Sequence, residues 1–498
     1  MPESQLNIIS KKINLGMFWL LTNRMLLKMI SIVSTLILVR LLTPADFGLV
    51  ALAMSFYALV QLFSSFGFEA TLIQVKDATD GHYSTVWTIR FLVSVIMCIL
   101  TFLAAPYVVE FYNDSALLVL VRLISFLFIL NSLVNPGMIR FIKEMDFKTE
   151  FKFQVIIKVT TFFVTISTAL WLENYFALII GMYTATILRV ALSYHFSTFR
   201  PTFCLTYLKE LFSFSKWMVI NSWLSYINTK TFEVVIGYFG STKSVGLFNV
   251  SNEIAEMPST EIGAAINRTS YSAYSQAKGD IPLLKSLYLK ILETTSLITI
   301  PTSVGIYLLA YEISHWVLGD GWESTQQVIE FVALSCIFQS LSTNHQYIYM
   351  SLGKPKLTTV INAIRGIILF SLLVPLTKSS GIVGASQALL ITSIIYFLIP
   401  LMVTKYLIKL KLFDYLKRII YHLVAALAMA ISLVLLTNLY SIEQIGFLPI
   451  IILKVTFGAS IFSLTLFILW LTRGRPSTCL EATAFSYVIN GLKIGHKK

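Results

Sequence analysis

Fourteen long apolar runs follow one another along this chain, and nothing else constrains its fold as strongly. They fall at roughly 14–40, 46–73, 83–109, 115–139, 151–172, 175–196, 213–239, 244–267, 285–311, 325–351, 356–376, 381–404, 416–438 and 446–471. About 20 apolar residues cross the hydrocarbon core of a bilayer as a helix. A membrane β-barrel would instead show strands of about ten residues with alternating polarity. Only 13% of the 498 residues are charged, against about 25% in soluble domains. No soluble domain of ordinary size fits in the remaining loops, so the expected fold class is an all-α polytopic membrane protein.

Turn and breaker residues separate the runs: Thr43-Pro44, Asp80-Gly81, Asn113-Asp114, Glu173-Asn174, Gly319-Asp320-Gly321, Gly353-Lys354-Pro355 and Ser379-Ser380-Gly381. The net charge of +13 lies between the runs, which points to topology rather than to nucleic acid. One set of loops holds twenty-six Lys and Arg residues; the alternate set holds only Arg40, Lys243 and Lys378. This asymmetry predicts an even number of spans with both termini cytoplasmic. The polar N-terminus leads into a run too long for a signal peptide, so the first helix is expected to be retained.

Basic residues also occur inside the runs. Arg24 and Lys28, at i and i+4, share one face of the first helix. Arg24 lies about ten residues, or 15 Å, from the start of that run. A charge at such depth costs about 2.5–3.5 kcal/mol on insertion scales, so it normally faces protein or water and has a use. Ser31 and Thr35 continue the same stripe. A basic face inside a helical bundle implies an anionic ligand and its transport. Arg90, Lys158, Lys230 and Arg365 are further basic residues within runs. Arg122, Arg189 and Lys454 are nearer to helix ends, within reach of the head groups.

Acidic residues accompany them: Glu69 in the second run, Glu233 in the seventh, Glu253 and Glu256 in the eighth. Buried carboxylates near basic groups are candidates for proton or ion coupling. Two plainer readings stay open. Lys230 and Glu233, at i and i+3, also fit a self-satisfied ion pair. Glu253 and Glu256 also fit a helix face packed on polar neighbours or exposed at a mouth. The seventh and eighth runs, with Asn221, Ser225, Asn228, Asn249, Thr260 and Asn267, are polar for membrane spans, and Pro258 is expected to interrupt the eighth.

The chain also repeats itself. The segment 42–49 ends the first run and opens the second, and 240–247 does the same for the seventh and eighth, at an offset of 198. A span with Lys158 inside it follows Asp146-Phe147-Lys148. A span with Arg365 inside it follows Gly353-Lys354-Pro355, at an offset of 207. Six spans per repeat is an even number, so both copies share one orientation. The expected organisation is a six-helix lobe over 1–200, a second over 201–410, two additional helices in 411–475 and a cytoplasmic tail in 476–498.

No Walker A, H-E-x-x-H, G-x-S-x-G or dinucleotide fingerprint is present, and the six histidines are dispersed. The four cysteines lack metal or disulfide spacing. Neither an enzyme nor a cofactor or metal is expected.

The segment 39–51, with Arg40-Leu41-Leu42-Thr43-Pro44-Ala45-Asp46-Phe47-Gly48, resembles the "R-L-L-x-P-x-D-F-G" signature of Wzx-type polysaccharide exporters. Looser similarity lies in 67–74, in 83–87, in Ala104-Ala105-Pro106 with Phe111-Tyr112, and in Val245-Gly246-Leu247-Phe248. That family belongs to the MOP (multidrug, oligosaccharidyl-lipid, polysaccharide) superfamily. The resemblance covers most of the chain and is strongest in its N-terminal part.

It implies two six-helix lobes forming a V with two extra helices, in the bacterial inner membrane. It implies a flippase for undecaprenyl-diphosphate-linked oligosaccharide repeat units of a capsule, O-antigen or exopolysaccharide. Such a flippase works by alternating access among membrane lipids, alongside a polysaccharide polymerase and chain-length machinery. The pyrophosphate would meet Arg24, Lys28, Arg90, Lys230 and Arg365. Arg40, Pro44, Asp46 and Gly48 would form the turn motif of the lobe, with a structural role favoured for Arg40. Other readings remain: a cation-coupled multidrug antiporter of the same superfamily, a lipid II flippase, and a non-transport component of a polysaccharide assembly complex. The absence of Asp and Glu from the first span weighs against the antiporter.

Overall fold

The computed structural model describes residues 3–63, 72, 78–144, 146–277, 279–439 and 447–472. Among them every regular element is helical. In chain order these are α1 (Glu3–Leu41), α2 (Pro44–Leu62), α3 (Asp80–Tyr112), α4 (Ala116–Ser132), the short α5 (Met138–Lys143), α6 (Phe147–Leu172), α7 (Phe176–Phe196) and α8 (Leu208–Phe239). They continue with α9 (Thr242–Gln276), α10 (Ile281–Leu308), α11 (Thr325–Ser351), α12 (Pro355–Leu407), α13 (Leu412–Leu439) and α14 (Phe447–Thr472). A short turn of helix, Ala310–Glu312, and a π-helical turn, Ile313–Leu318, follow α10.

α12 is two arms: its backbone leaves helical geometry at Ser380 and at Gly381, where φ is +57°. Glycine adopts that conformation without the strain a side chain would bring. With α12 counted twice, the described helices supply the fourteen long segments that the apolar runs predict.

Eight described helices are long and apolar enough to cross a membrane, from Pro44–Leu62 to Pro449–Thr472. The chain is a multi-pass membrane protein. Outside that set are the shorter apolar α4 and the long helices α1, α8, α9 and α11, which carry many of the polar side chains. A polar helix at membrane depth needs protein or water beside it.

By its internal contacts the chain divides into two compact units, Met1–Leu247 and Phe248–Lys498. In the first, α1 packs on α6, α6 on α7, α3 on α4, and α2 on α4 and α8. In the second, α10 packs on α11 and α13, α11 on α12, and α13 on α14.

The α1–α2 turn shows how sequence sets geometry here. Thr43 caps α2 and Pro44 occupies its first turn, where a missing N–H costs nothing. Asp46 Oδ2 accepts from Thr43 N (2.9 Å) and Thr43 Oγ1 (2.6 Å), completing a capping box. Its Oδ1 accepts from Tyr175 N at 3.0 Å, tying the start of α2 to the start of α7. Asp46→Ala strands these donors, and a stranded buried donor costs about 1–3 kcal/mol. A clear drop in the melting temperature of the purified protein is expected, with Asp46→Asn intermediate. An unchanged melting temperature for Asp46→Ala would remove the tie.

Gly48, one turn further along α2, touches the start of α9. A Cβ added at Gly48 would lie 1.8 Å from the Thr242 carbonyl oxygen, and one added at Gly246 would lie 1.8 Å from that of Pro44. Two backbones therefore cross in direct contact. Asp114 Oδ2, in the α3–α4 turn, accepts from Thr242 Oγ1 at 2.6 Å and steadies the α9 side of the crossing.

The break expected at Pro258 is not there: α9 runs as one helix from Thr242 to Gln276. A proline removes one backbone hydrogen bond, whereas opening the helix would give up several.

In the second unit a polar ladder fixes the last two helices. Asp414, Arg418 and His422, at i, i+4 and i+8, lie along one face of α13. Lys285 Nζ bonds Asp414 Oδ2 at 2.6 Å, and Arg418 Nη1 bonds Glu293 Oε2 at 2.6 Å. Ser296 Oγ lies 2.8 Å from His422 Nδ1. Lys454 on α14 forms a buried ion pair with Glu312.

Candidate functional site

The first basic group forms where α1 packs on α6. Arg24 and Lys28 are half-buried, while Met25 and Met29 are exposed at 73% and 63%. The charged stripe therefore lies off the most exposed face. Asn23 Nδ2 donates to Gln154 Oε1 at 3.0 Å, and Gln154 Nε2 to Glu150 Oε1 at 2.9 Å. Further along the seam, Lys158 Nζ donates to Ser31 Oγ at 3.0 Å. Ser31 is about 10 Å along the helix from Arg24. Arg24, Lys28 and Lys158 thus lie along one seam, with the carboxylate of Glu150 in it. With three basic groups against one carboxylate the seam is net positive, which favours an anion. Lys158 joins the stripe only through tertiary packing; its depth within the fifth run and its place in the repeat are the sequence signals for it.

Arg90 is placed differently. Its Nη2 donates to the Asn131 carbonyl at 3.4 Å, near the C-terminus of α4. A cation is stabilised there by the helix dipole. Asn131 Nδ2 in turn donates to Tyr57 Oη at 3.3 Å.

Lys230 and Glu233 form an ion pair at 2.6 Å, with Glu233 buried. Tyr226 on the same helix donates to the Ser55 carbonyl at 3.2 Å. Glu233 Oε2 is buried and accepts no hydrogen bond. The pair compensates the charge of Lys230 locally and leaves half of the carboxylate for another donor.

In the second unit Arg365, on the first arm of α12, forms a third group. Its guanidinium stacks over the Tyr396 ring at 4.9 Å, and Nη2 reaches Gln339 Oε1 at 3.4 Å. Tyr396 Oη donates to Asn362 Oδ1 at 3.1 Å. Gln339 Nε2 donates to Ser335 Oγ at 3.1 Å. The Arg365 Nε–H is buried without an acceptor. The Glu256 carboxylate, half-buried on α9, is close enough to act on the guanidinium electrostatically. Glu253 on the same helix is exposed. Glu69 lies outside the described residues.

Arg40 is exposed in the last turn of α1, while Pro44, Asp46 and Gly48 build the turn and crossing described above. Among the described residues no cluster of His, Cys, Asp and Glu could hold a metal ion. Nothing in the sequence singles out Gln339, Asn362 or Tyr396, which come to Arg365 from α11 and both arms of α12.

A model of the family described as "Polysaccharide biosynthesis protein" matches residues 37–327, more than half of the chain. The teichuronic acid biosynthesis protein TuaB of Bacillus subtilis is 22% identical over 431 residues, covering 85% of this chain and 88% of that protein. The lipopolysaccharide biosynthesis protein WzxC of Escherichia coli is 20% identical over 370 residues, covering 74% and 75%. Among solved structures, the lipid II flippase MurJ in an inward closed conformation superposes with a TM-score of 0.74. It is 15% identical, and the match covers 91% of this chain and 100% of that one. That likeness establishes the fold.

Proposed function

The chain belongs to the polysaccharide biosynthesis protein family, and from that premise we propose that it is a flippase for undecaprenyl-diphosphate-linked oligosaccharide repeat units. The observation that carries the proposal is the basic seam of Arg24, Lys28 and Lys158 in the first unit. A pyrophosphate is an anion whose oxygens accept from several ammonium and guanidinium donors at once. In a setting poorer in water than bulk solvent, each such contact is stronger. The polyprenyl tail stays in lipid, so only the head group needs a polar path.

On this reading the protein lies in the bacterial inner membrane with both termini cytoplasmic, as the loop charges favour. Two six-helix repeats, 1–200 and 201–410, alternate access to the two faces. The helices in 411–475 are an addition, and 476–498 is a tail. Arg24 and Lys28 take the pyrophosphate. Arg90 and Lys230 in the first unit and Arg365 in the second are further basic groups available to the pyrophosphate-sugar head group. Glu69, Glu233, Glu253 and Glu256 are the candidates for coupling transport to protons or ions. The product feeds a polysaccharide polymerase and its chain-length machinery. Catalysis is not part of the role.

The test is deletion of the gene, complemented by wild type or by Arg24→Ala/Lys28→Ala, followed by lipid extraction. Wild type is expected to clear cytoplasmic undecaprenyl-linked repeat units, and the double variant to leave them accumulated at a normal protein level. Normal surface polysaccharide from the double variant, or from Arg24→Glu, would overturn the role of the basic seam. Normal polysaccharide in the deletion strain, with loss of cationic dye efflux, would replace the flippase by a drug antiporter.

A further inference from the structure

We propose that Arg365 is the recognition point for a carboxylate on the sugar part of the substrate, so that the protein selects repeat units carrying an acidic sugar. The inference rests on the flippase reading and deepens it.

Three features of the site point this way. The first is the guanidinium itself. Arg365 lies ten residues into the first arm of α12, about 15 Å along it. Its Nε–H is sealed from solvent and meets no acceptor, and its Nη2 makes a long contact, 3.4 Å, to Gln339. A buried N–H left without an acceptor is costly. Nε and one Nη are the two donors that grip a carboxylate or phosphate in a fork. The site therefore suits a bidentate oxyanion that the described residues do not provide.

The second feature is what surrounds the fork. Tyr396 lies beneath the guanidinium and is oriented by Asn362. Gln339 is oriented by Ser335. An aromatic face beside oriented amides is a surface for sugar rings and hydroxyls. It offers little to a diphosphate, which is better served by the three cations of the α1–α6 seam. The substrate class has one diphosphate, and the seam in the first unit already suits it. A second cation, set among sugar-type contacts, fits a second anionic group, and on an oligosaccharide that group is a carboxylate.

The third feature is Glu256. Its carboxylate acts on the guanidinium from α9. On this reading its negative charge opposes an incoming carboxylate. An acidic sugar would displace its influence; a neutral sugar would not.

Carboxylate and phosphate are both bidentate oxyanions, and the test separates them. The purified full-length protein is titrated calorimetrically with three probes: a disaccharide ending in glucuronic acid, its glucose-ended counterpart, and inorganic pyrophosphate. Wild type is expected to favour the glucuronate over the neutral disaccharide about tenfold or more, the scale of a charge-assisted fork. Arg365→Gln should abolish that preference, and Arg365→Lys, which keeps the charge without the fork, should restore only part of it. Glu256→Gln should tighten glucuronate binding several-fold, whereas a purely structural Glu256 would give weaker binding. Pyrophosphate binding should be insensitive to Arg365→Gln and weakened by Arg24→Ala/Lys28→Ala.

Equal affinity of wild type for both disaccharides overturns the inference. So does an Arg365→Gln variant that loses pyrophosphate along with glucuronate, because the site would then read the diphosphate. A wild type that selects glucuronate through Arg365 but binds no pyrophosphate upholds this inference and removes the diphosphate-linked reading.

Discussion

Gly48→Ala is expected to destabilise the protein by about 1–3 kcal/mol or more, the range for forcing atoms into a filled site, and Gly246→Ala by a matching amount. The new Cβ would sit 1.8 Å from a carbonyl oxygen in either case, with Gly246 N or Gly48 N also within about 3 Å. The obstacle is backbone on both sides, so no rotamer change relieves it; the helices themselves must move apart. Once one substitution has parted them, the second has room. The double variant should therefore cost clearly less than the sum of the singles, as expected for residues that share a contact. Thermal unfolding of the purified protein measures all three. Additive losses, or a Gly48→Ala protein that melts with wild type, would mean that the two backbones are not in contact. The repeat read from sequence sharpens the expectation. Pro44 and Thr242 are 198 apart, as are Gly48 and Gly246, so each helix meets the other through equivalent residues.

The second large effect is expected at Glu312 and Lys454. Both side chains are buried, and they pair with each other. Removing one member leaves an uncompensated charge inside the protein, which typically costs about 3–5 kcal/mol. Replacing both by apolar residues of similar size is often neutral or stabilising. Glu312→Leu and Lys454→Met should each fall well below wild type in melting temperature, and the double variant should recover most of the loss. A double variant no better than the worse single would show that the pair is not what holds the charges there.

Much of the fold is legible in the sequence because its signals are local. Asn113 and Glu173 take left-handed backbone conformations, Gly353 lies at φ +73°, and Pro355 opens α12. Asn113, Gly353 and Pro355 carry turn chemistry in their residue type, and at Glu173 the signal is the Asn174 beside it. The capping box of Thr43 and Asp46 is likewise readable within four residues. Pro258 misleads because the loss of one backbone hydrogen bond costs less than opening the helix around it. The sites are legible in part. Arg24 and Lys28 announce themselves by depth and spacing. The approach of Lys158 to Ser31 spans 127 residues, and that of Arg365 to Gln339 depends on how α12 folds back on α11. Periodicity along one helix carries no information about which neighbour it will meet. Arg90 makes the same point in reverse: its depth suggests a ligand, and one tertiary contact it makes is with the end of α4.

The ladder along α13 and α14 bears on how the chain enters the membrane as it is made. Its buried acids, Glu293 and Glu312, precede their basic partners, Arg418 and Lys454, in the order of synthesis. A carboxyl group can enter lipid as a neutral acid, whereas a guanidinium keeps its charge. The helices that come first can therefore wait, and those that come last find a counter-charge already in place. With the signs exchanged, an arginine would stand alone in the bilayer until its partner, 125 residues further on, had been added.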